Sequence, residues 1–281
     1  MADQPSNSAK WTFTRPDPPS SSEQYFQPNL RNIATNAPGC NLPWRDDMYL
    51  AYPSTTKPDW PDFVAHIKEL NDHADSNTHY KIVYVMRRAH KVHREVIDPE
   101  ISENGKDECA KLLATFKHAV CTTKLPPPEV LATSPLARAL NTAELAFPSL
   151  SPIVLENLRE TLDGRPKNMR HDKAWIASRF PTFDIENVDA KDRLGSNQAA
   201  SKEDYAAVWR RVQSAFEFLF EAFPTALVVG VMSHCHVIQT IQREISGFDL
   251  PSEPTEVRKD KVEFYLGDAG MYAMIVKGVR K

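Results

Sequence analysis

The chain has 281 residues, 41% of them hydrophobic and 25% charged, an ordinary globular composition that can bury a full core without disulfide or metal staples. A formal net charge of −3 gives no support to nucleic-acid binding, and no uncharged apolar run reaches the ~18 residues of a membrane span. The four cysteines, Cys40, Cys109, Cys121 and Cys235, are far apart and form no C-x-x-C pair, which argues against a disulfide framework and for a reducing compartment.

The first residues, Met1 to Lys10, are polar and lack the apolar centre of a secretory signal, so a cytoplasmic location is expected. Residues 1–60 are rich in Pro, Ser and Asn, with scattered aromatics such as Trp11, Phe13, Trp44 and Trp60. Prolines at this density block long helices, while the aromatics argue against full disorder. This segment is read as an irregular arm, its first dozen residues loose, packed on a single α/β domain over 61–281. Within 61–73, Phe63, Ile67 and Leu70 stand at helical spacing behind Pro61. KIVYVM at 81–86 is a short β-branched run of the kind buried on both sheet faces. It runs into Arg87-Arg88-Ala89-His90-Lys91-Val92-His93-Arg94.

A helix is expected at about 103–119, then a Pro-rich loop and a short strand near 129–132. In SPLARALNTAELAF, Ser134 reads as the N-cap and Pro135 as the first helical residue. IVLENL, within 151–160, is strand-like, and 161–200 is polar and loop-rich. Residues 202–223 form a long amphipathic helix whose Trp209, Phe216, Phe220 and Phe223 are core residues. TALVVGVMS at 225–233 is a second fully buried strand, leading to His234, Cys235, His236 and a further helix. VEFYLGD and MYAMIVKGV read as a closing hairpin. Alternation of strands and helices predicts a three-layer α/β/α sandwich with a mostly parallel central sheet.

Ligands of open α/β sheets bind at the carboxyl ends of the strands. Arg87 and Arg88, Arg138 and His234 all follow predicted buried strands, so they are expected to converge as an anion site. Taken singly, each would be an unremarkable surface cation. Cys235 is read as a bystander thiol, since adjacent residues at a strand end point apart.

The Arg-rich stretch after the first core strand is similar to the Arg-His-Gly signature of the histidine phosphatase (phosphoglycerate mutase-like) superfamily, and to its fungal form, RHGEGYHN. The preceding strand and His93 fix the register. In that register Arg87 is the signature arginine, Arg88 stands at the nucleophilic histidine, Ala89 at the glycine and Arg94 at the asparagine. Other stretches resemble family landmarks in order: DPEIS from Asp98, SPLARALNTA with Arg138, ENLRE ending at Glu160, and VVGVMSHCH with His234. RHDKAW and RFPTFDIE also resemble the fungal branch. The resemblance covers roughly 80–280 and implies a histidine phosphatase-like fold.

It also implies roles. Family members attack a phosphoryl group with the first histidine, while two arginines and a second histidine hold its oxygens and a carboxylic acid protonates the leaving group. Here Arg87, Arg138 and His234 would hold an anion and Glu160 would be the acid, with His90, His93 and Arg94 as further binding residues. Arg88 cannot be the nucleophile, because a guanidinium stays protonated up to a pKa above ~12 and offers no lone pair. The expected partner is an anionic small molecule, with no nucleic acid, membrane, metal or other cofactor. Three readings stay open: a repurposed enzyme using Glu160, His234 and Arg88 for chemistry other than phosphohistidine formation, an inactive anion-binding relative, and a residual phosphatase. Glu160 could instead be a buried counter-charge to the arginines. A metal site from His90, His93, His234 and His236 is a fourth, weaker arrangement, because neighbouring arginines repel a cation.

Overall fold

The computed structural model describes residues 10–16, 25–26, 50–51, 60–92, 96–192, 203–246 and 266–281. The strands among them are β1 (Trp11–Thr14), β2 (Tyr25–Phe26), β3 (Leu50–Ala51), β4 (Thr78–Arg87), β5 (Val130–Thr133), β6 (Ile153–Val154), β7 (Val228–Ser233) and β8 (Met271–Arg280). The helices are α1 (Trp60–His73), α2 (Glu103–Thr123), α3 (Ala137–Ala146), α4 (Lys173–Arg179), α5 (Tyr205–Ala222) and α6 (Cys235–Ser246).

Six strands form one mixed sheet in the order β1-β8-β4-β7-β5-β6. Strands β4, β7, β5 and β6 run parallel, while β8 and β1 add an antiparallel edge. Side chains alternate across β4 as the strand period requires. Ile82, Tyr84 and Met86 meet Phe63 and Ile67 of α1 and Leu112 and Phe116 of α2 on one face. Val83 and Val85 meet Phe216, Leu219 and Phe220 of α5 and Ile238 and Ile241 of α6 on the other. Helices therefore cover both faces, giving the expected three-layer α/β fold.

Three local expectations are corrected. Residues 1–60 are not irregular throughout, because Trp11–Thr14 is an edge strand paired with β8 from Trp11↔Arg280 to Thr14↔Lys277. Its Trp11 and Phe13 rings pack on Phe220 at 5.6 and 5.1 Å. They are buried, with 3% exposure each, so apolar contact outweighs the chain's local proline content. A side chain at Gly278 of β8 would meet Phe220 at 2.6 Å, so only glycine lets the sheet approach that ring. Second, IVLENL supplies only the two residues of β6, and Glu156–Leu158 turns into a single 3-10 turn. Third, Ser134 does not cap α3: the cap is Leu136, without a side-chain bond. The first arm of the expected closing hairpin lies mostly outside the described residues, as do most of the N-terminal arm, His93 and Arg94.

Candidate functional site

The carboxyl ends of three adjacent parallel strands place the signature residues side by side. Arg87 pairs with Ser233 in the β4–β7 register, the Arg88 amide donates to Ser233 O at 3.0 Å, and the Ser134 amide donates to Met232 O at 3.0 Å. This puts Arg88, His234 and Ser134 at one rim of the sheet. The turn 267–270 closes over it: Gly270 N donates to Gly267 O, Arg87 N to Gly270 O, and Ala269 N to Arg88 O. Ala269 has φ 54, in the left-handed region that costs a side-chain-bearing residue about 1–2 kcal/mol. This strained turn presents Asp268.

Asp268 is the residue that sequence reasoning missed at this rim. Its Oδ1 accepts from Arg87 Nη2 at 2.9 Å and from Arg88 Nη1 at 3.1 Å. Arg88 Nη1 also donates to Ala89 O at 2.8 Å, and Arg87 Nη1 donates to Leu266 O at 2.6 Å. Only the GDAG turn composition hinted at a loop here; nothing local encodes a pairing across some 180 residues of chain.

Arg138, in the first turn of α3, is almost wholly buried. Its Nη1 donates to Lys167 O at 2.7 Å and its Nη2 to Asn168 Oδ1 at 2.9 Å, and Asp98 Oδ1 lies 3.7 Å from Nη1. Burial lowers the guanidinium to about 10 against the pull of Asp98 and Glu160, so it stays charged at neutral pH. Each of the three arginines meets a carboxylate or carbonyl of the protein. Loss of solvation in the interior makes such partners necessary.

Asp98 is itself buried and has φ 44. Its carboxyl accepts from Ala137 N at 2.9 Å and His171 N at 3.4 Å. Burial outweighs these bonds and the charges of Arg138 and Arg159, and raises it to about 7. An unfolded Asp loses its proton near 3.8 and the folded one near 7, so the fold binds more protons between those values and loses stability as pH rises through them. Asp98→Asn cannot lose a proton, and asparagine tolerates the left-handed backbone. Whatever its offset from wild type at pH 4, the variant is expected to escape the loss of stability that wild type suffers between pH 4 and pH 8, which is at most about 4 kcal/mol. Urea unfolding at several pH values checks this; parallel curves for the two proteins would refute it.

His234 is fully buried. Its Nε2 lies 2.8 Å from Ser134 Oγ, which also accepts from Leu136 N at 3.3 Å. The residue read as a helix cap thus holds the site histidine. Among the described residues, His234 Nδ1 has no hydrogen-bond partner. Burial, then the charges of Arg138, Arg88 and Arg211, press the imidazole well below its ordinary range, against a smaller opposing pull from Glu160. His234 is a neutral ring.

Glu160 follows Arg159 in the loop after β6. Its Oε1 accepts from Thr161 N at 2.9 Å and from His236 Nδ1 at 3.2 Å. Burial pushes the carboxyl up, but the His236 hydrogen bond first, and the Thr161 amide with it, hold it well below the carboxylate range. Its direct hydrogen-bond partner is the His236 imidazole, while its charge also acts on Arg138. Since Glu160 and Arg88 both act on His234 and Arg138, all four share one electrostatic neighbourhood. Cys235 sits beside them with its thiol raised by burial, as expected of a bystander.

His90, two residues after Arg88, is bonded toward α2. Its amide donates to Glu108 Oε2 at 2.7 Å and its Nδ1 is 2.7 Å from Ser102 Oγ, the N-cap of α2. A side chain at Gly105 would collide with His90 O, so the first turn of α2 is seated directly on this residue. These contacts tie His90 to α2. Among the described residues no group of three or more His, Cys, Asp or Glu side chains is arranged to hold a metal, and no helix is long and apolar enough to cross a membrane.

Comparison with known proteins places this chain in a family. A "Probable phosphoglycerate mutase" of Arthroderma benhamiae is 28% identical over 168 residues, covering 48% of this chain and 50% of that protein. "Phosphomutase-like protein 3" of Candida albicans is 25% identical over 144 residues, covering 50% of this chain and 44% of that protein. The chain thus spans about half the length, or less, of these curated relatives. A solved "Mycobacterial hydrolase 1" is similar at 17% identity and a TM-score of 0.47, over 70% of this chain and 92% of that one. The model of the histidine phosphatase superfamily (branch 1) matches residues 83–258, more than half of the sequence, and the chain belongs to that superfamily.

Proposed function

We propose that this chain is a repurposed phosphoglycerate mutase-like enzyme that acts on an anionic small molecule by acid–base chemistry, without a phosphohistidine intermediate. The observation that carries the reading is the arrangement at Arg88. In the register of the family signature Arg88 takes the nucleophile's position, and its guanidinium is held by Asp268 and Ala89 O. It has no lone pair with which to attack phosphorus. Arg87, Arg88 and Arg138 would bind the anion, and neutral His234 would contribute a hydrogen bond through Nδ1.

Charge balance narrows the substrate. Three guanidiniums share the site with Asp98, Glu160 and Asp268. This set suits a singly charged carboxylate or enolate better than a phosphate dianion, since each added negative charge meets the carboxylates as well. Isomerisation, elimination, cyclisation or hydrolysis could each use such a site. A catalytically silent anion binder is the second reading, favoured by the number of arginine bonds already made within the protein.

The test compares wild type with Glu160→Gln against a panel of carboxylate and phosphate metabolites. Wild type is expected to consume at least one carboxylate, and the variant to lose conversion by about 10²-fold or more, with binding of that compound changed less than threefold. Binding of a panel member without conversion by wild type would establish the silent binder instead. Vigorous wild-type hydrolysis of aryl phosphates would defeat the loss of the phosphohistidine route.

A further inference from the structure

We propose that Asp268 is the specificity-determining residue of this site, a resident carboxylate that makes the Arg87–Arg88 end of the rim accept singly charged anions and turn away dianions. The proposal rests on the reading of these arginines as anion-binding residues, and it names the residue that sets the charge of what they take.

Asp268 belongs to none of the family-like motifs, so its role follows from geometry. Of the three carboxylates near the guanidiniums, it is the one that bonds two of them at once. Its Oδ1 accepts from Arg87 Nη2 at 2.9 Å and from Arg88 Nη1 at 3.1 Å. Asp98 is enclosed beside Arg138, its side chain wholly buried and its oxygens taken by the Ala137 and His171 amides. Glu160 accepts from His236 and Thr161 instead. The Asp268 side chain is 20% exposed, against 7% for Arg87 and 13% for Arg88. It is the more exposed partner of both pairs, so an anion arriving at either guanidinium meets it.

The backbone keeps Asp268 in place. Its turn is tied to the same two residues that its carboxylate binds: Ala269 N donates to Arg88 O at 3.2 Å, and Arg87 N donates to Gly270 O at 2.9 Å. Gly270 N donates to Gly267 O at 2.9 Å and closes the turn on itself. A side chain at Gly270 would lie 2.8 Å from that same carbonyl and from Leu266 Cδ1. Arg87 Nη1 also holds Leu266 O at 2.6 Å. Swinging Asp268 away would break this set at the end of β4, an interior strand of the sheet. An anion is therefore bound beside Asp268 and not in exchange for it.

Charge then decides what fits. Two guanidiniums less one carboxylate leave a single positive charge at this end of the rim. The cost of stripping water from an ion rises steeply with its charge, whereas attraction to a fixed field rises only in proportion to it. With Asp268 present the weakened field offsets that cost for a monoanion and fails to do so for a dianion.

Calorimetry on the full chain at constant ionic strength tests this with two probes, sulfate as the dianion and acetate as the monoanion. Wild type is expected to bind acetate at least as tightly as sulfate. Asp268→Asn keeps the shape, and an oxygen able to accept from both arginines, while removing the charge. It is expected to raise sulfate affinity at least about 25-fold and acetate affinity about fivefold, because the lost repulsion acts on two charges in one probe and one in the other. A wild-type preference for sulfate overturns the proposal whether or not the variant folds. An equal gain for both probes overturns it too. So does a loss for both, which would make Asp268 only the counter-ion that steadies the arginines. Binding of neither probe to either protein overturns it together with the arginine site. The expected shifts in a protein that converts no metabolite would uphold Asp268 as the discriminator and count instead against the acid–base reading.

Discussion

Arg88→His combined with Ala89→Gly is expected to create turnover of p-nitrophenyl phosphate, where the unaltered protein is expected to show none above background. On the reading proposed here these two changes restore the signature at the nucleophile position while the rest of the rim stays in place. The backbone supports the exchange. The Arg88 amide remains bonded to Ser233 O, and the Ala89 amide to Thr142 Oγ1 at 2.9 Å. Asp268 loses one arginine but keeps Arg87 at 2.9 Å. Removing the buried Ala89 methyl costs about 1 kcal/mol, which a folded domain tolerates.

The state of Glu160 sets which substrates respond. Because it is ionised and bonded to His236, it cannot protonate a poor leaving group. Nitrophenolate needs no such help, so the double variant should prefer the aryl ester over an alkyl phosphate by about 10²-fold or more, the usual worth of general acid catalysis. An acid-labile phosphohistidine should be trapped at position 88. A correctly folded double variant with no gain would mean that the pocket differs from a phosphatase in more than its nucleophile.

The strands that build this rim were legible because burial on both faces leaves an uninterrupted apolar run, as in KIVYVM and VVGVM. The convergence of Arg87, Arg88, Arg138, Glu160 and His234 was legible because each follows such a strand or a family-like segment. Their partners were not. Asp268 meets Arg88 across 180 positions, and Asp98 meets the α3 backbone across 39. No local spacing records contacts of that kind. Ser134 misled for a related reason: Ser-Pro is a good helix start, but here the hydroxyl is drawn to His234 and α3 begins at Ala137. Trp11–Thr14 was hidden because four alternating residues become a strand only when β8 offers an edge.

Arg159→Met is expected to destabilise the fold by about 3–5 kcal/mol, the cost of breaking one side of a buried ionic network. The Arg159 side chain is fully buried. It donates to Glu156 Oε1 at 2.9 Å, to Asp192 Oδ1 and Oδ2 at 2.6 and 3.0 Å, and to Asn168 O at 2.6 Å. Methionine fills much of the same volume, so the loss isolates charge from packing. Glu156 would retain Arg170, bonded through Nε at 2.8 and 3.0 Å, but Asp192 would keep only the Arg170 amide among these donors. The surface pair Lys106–Glu103, with 55% and 90% exposed side chains, is the control: Lys106→Ala should leave the unfolding midpoint where it was.

The effect should also reach the site. Arg211 binds Arg159 O and Asn157 O at 2.7 and 2.8 Å, and Asn168, which Arg159 holds, is also the acceptor for Arg138. Arg159 therefore fixes both the loop that carries Glu160 and the carbonyl and amide groups that aim Arg138. Urea unfolding measures the first consequence. The second is a loss of affinity for the anion proposed above as ligand, in protein that remains folded at low temperature. Equal stability of Arg159→Met and wild type would show that the buried network is dispensable, and the rim would then owe its order to the strand ends alone.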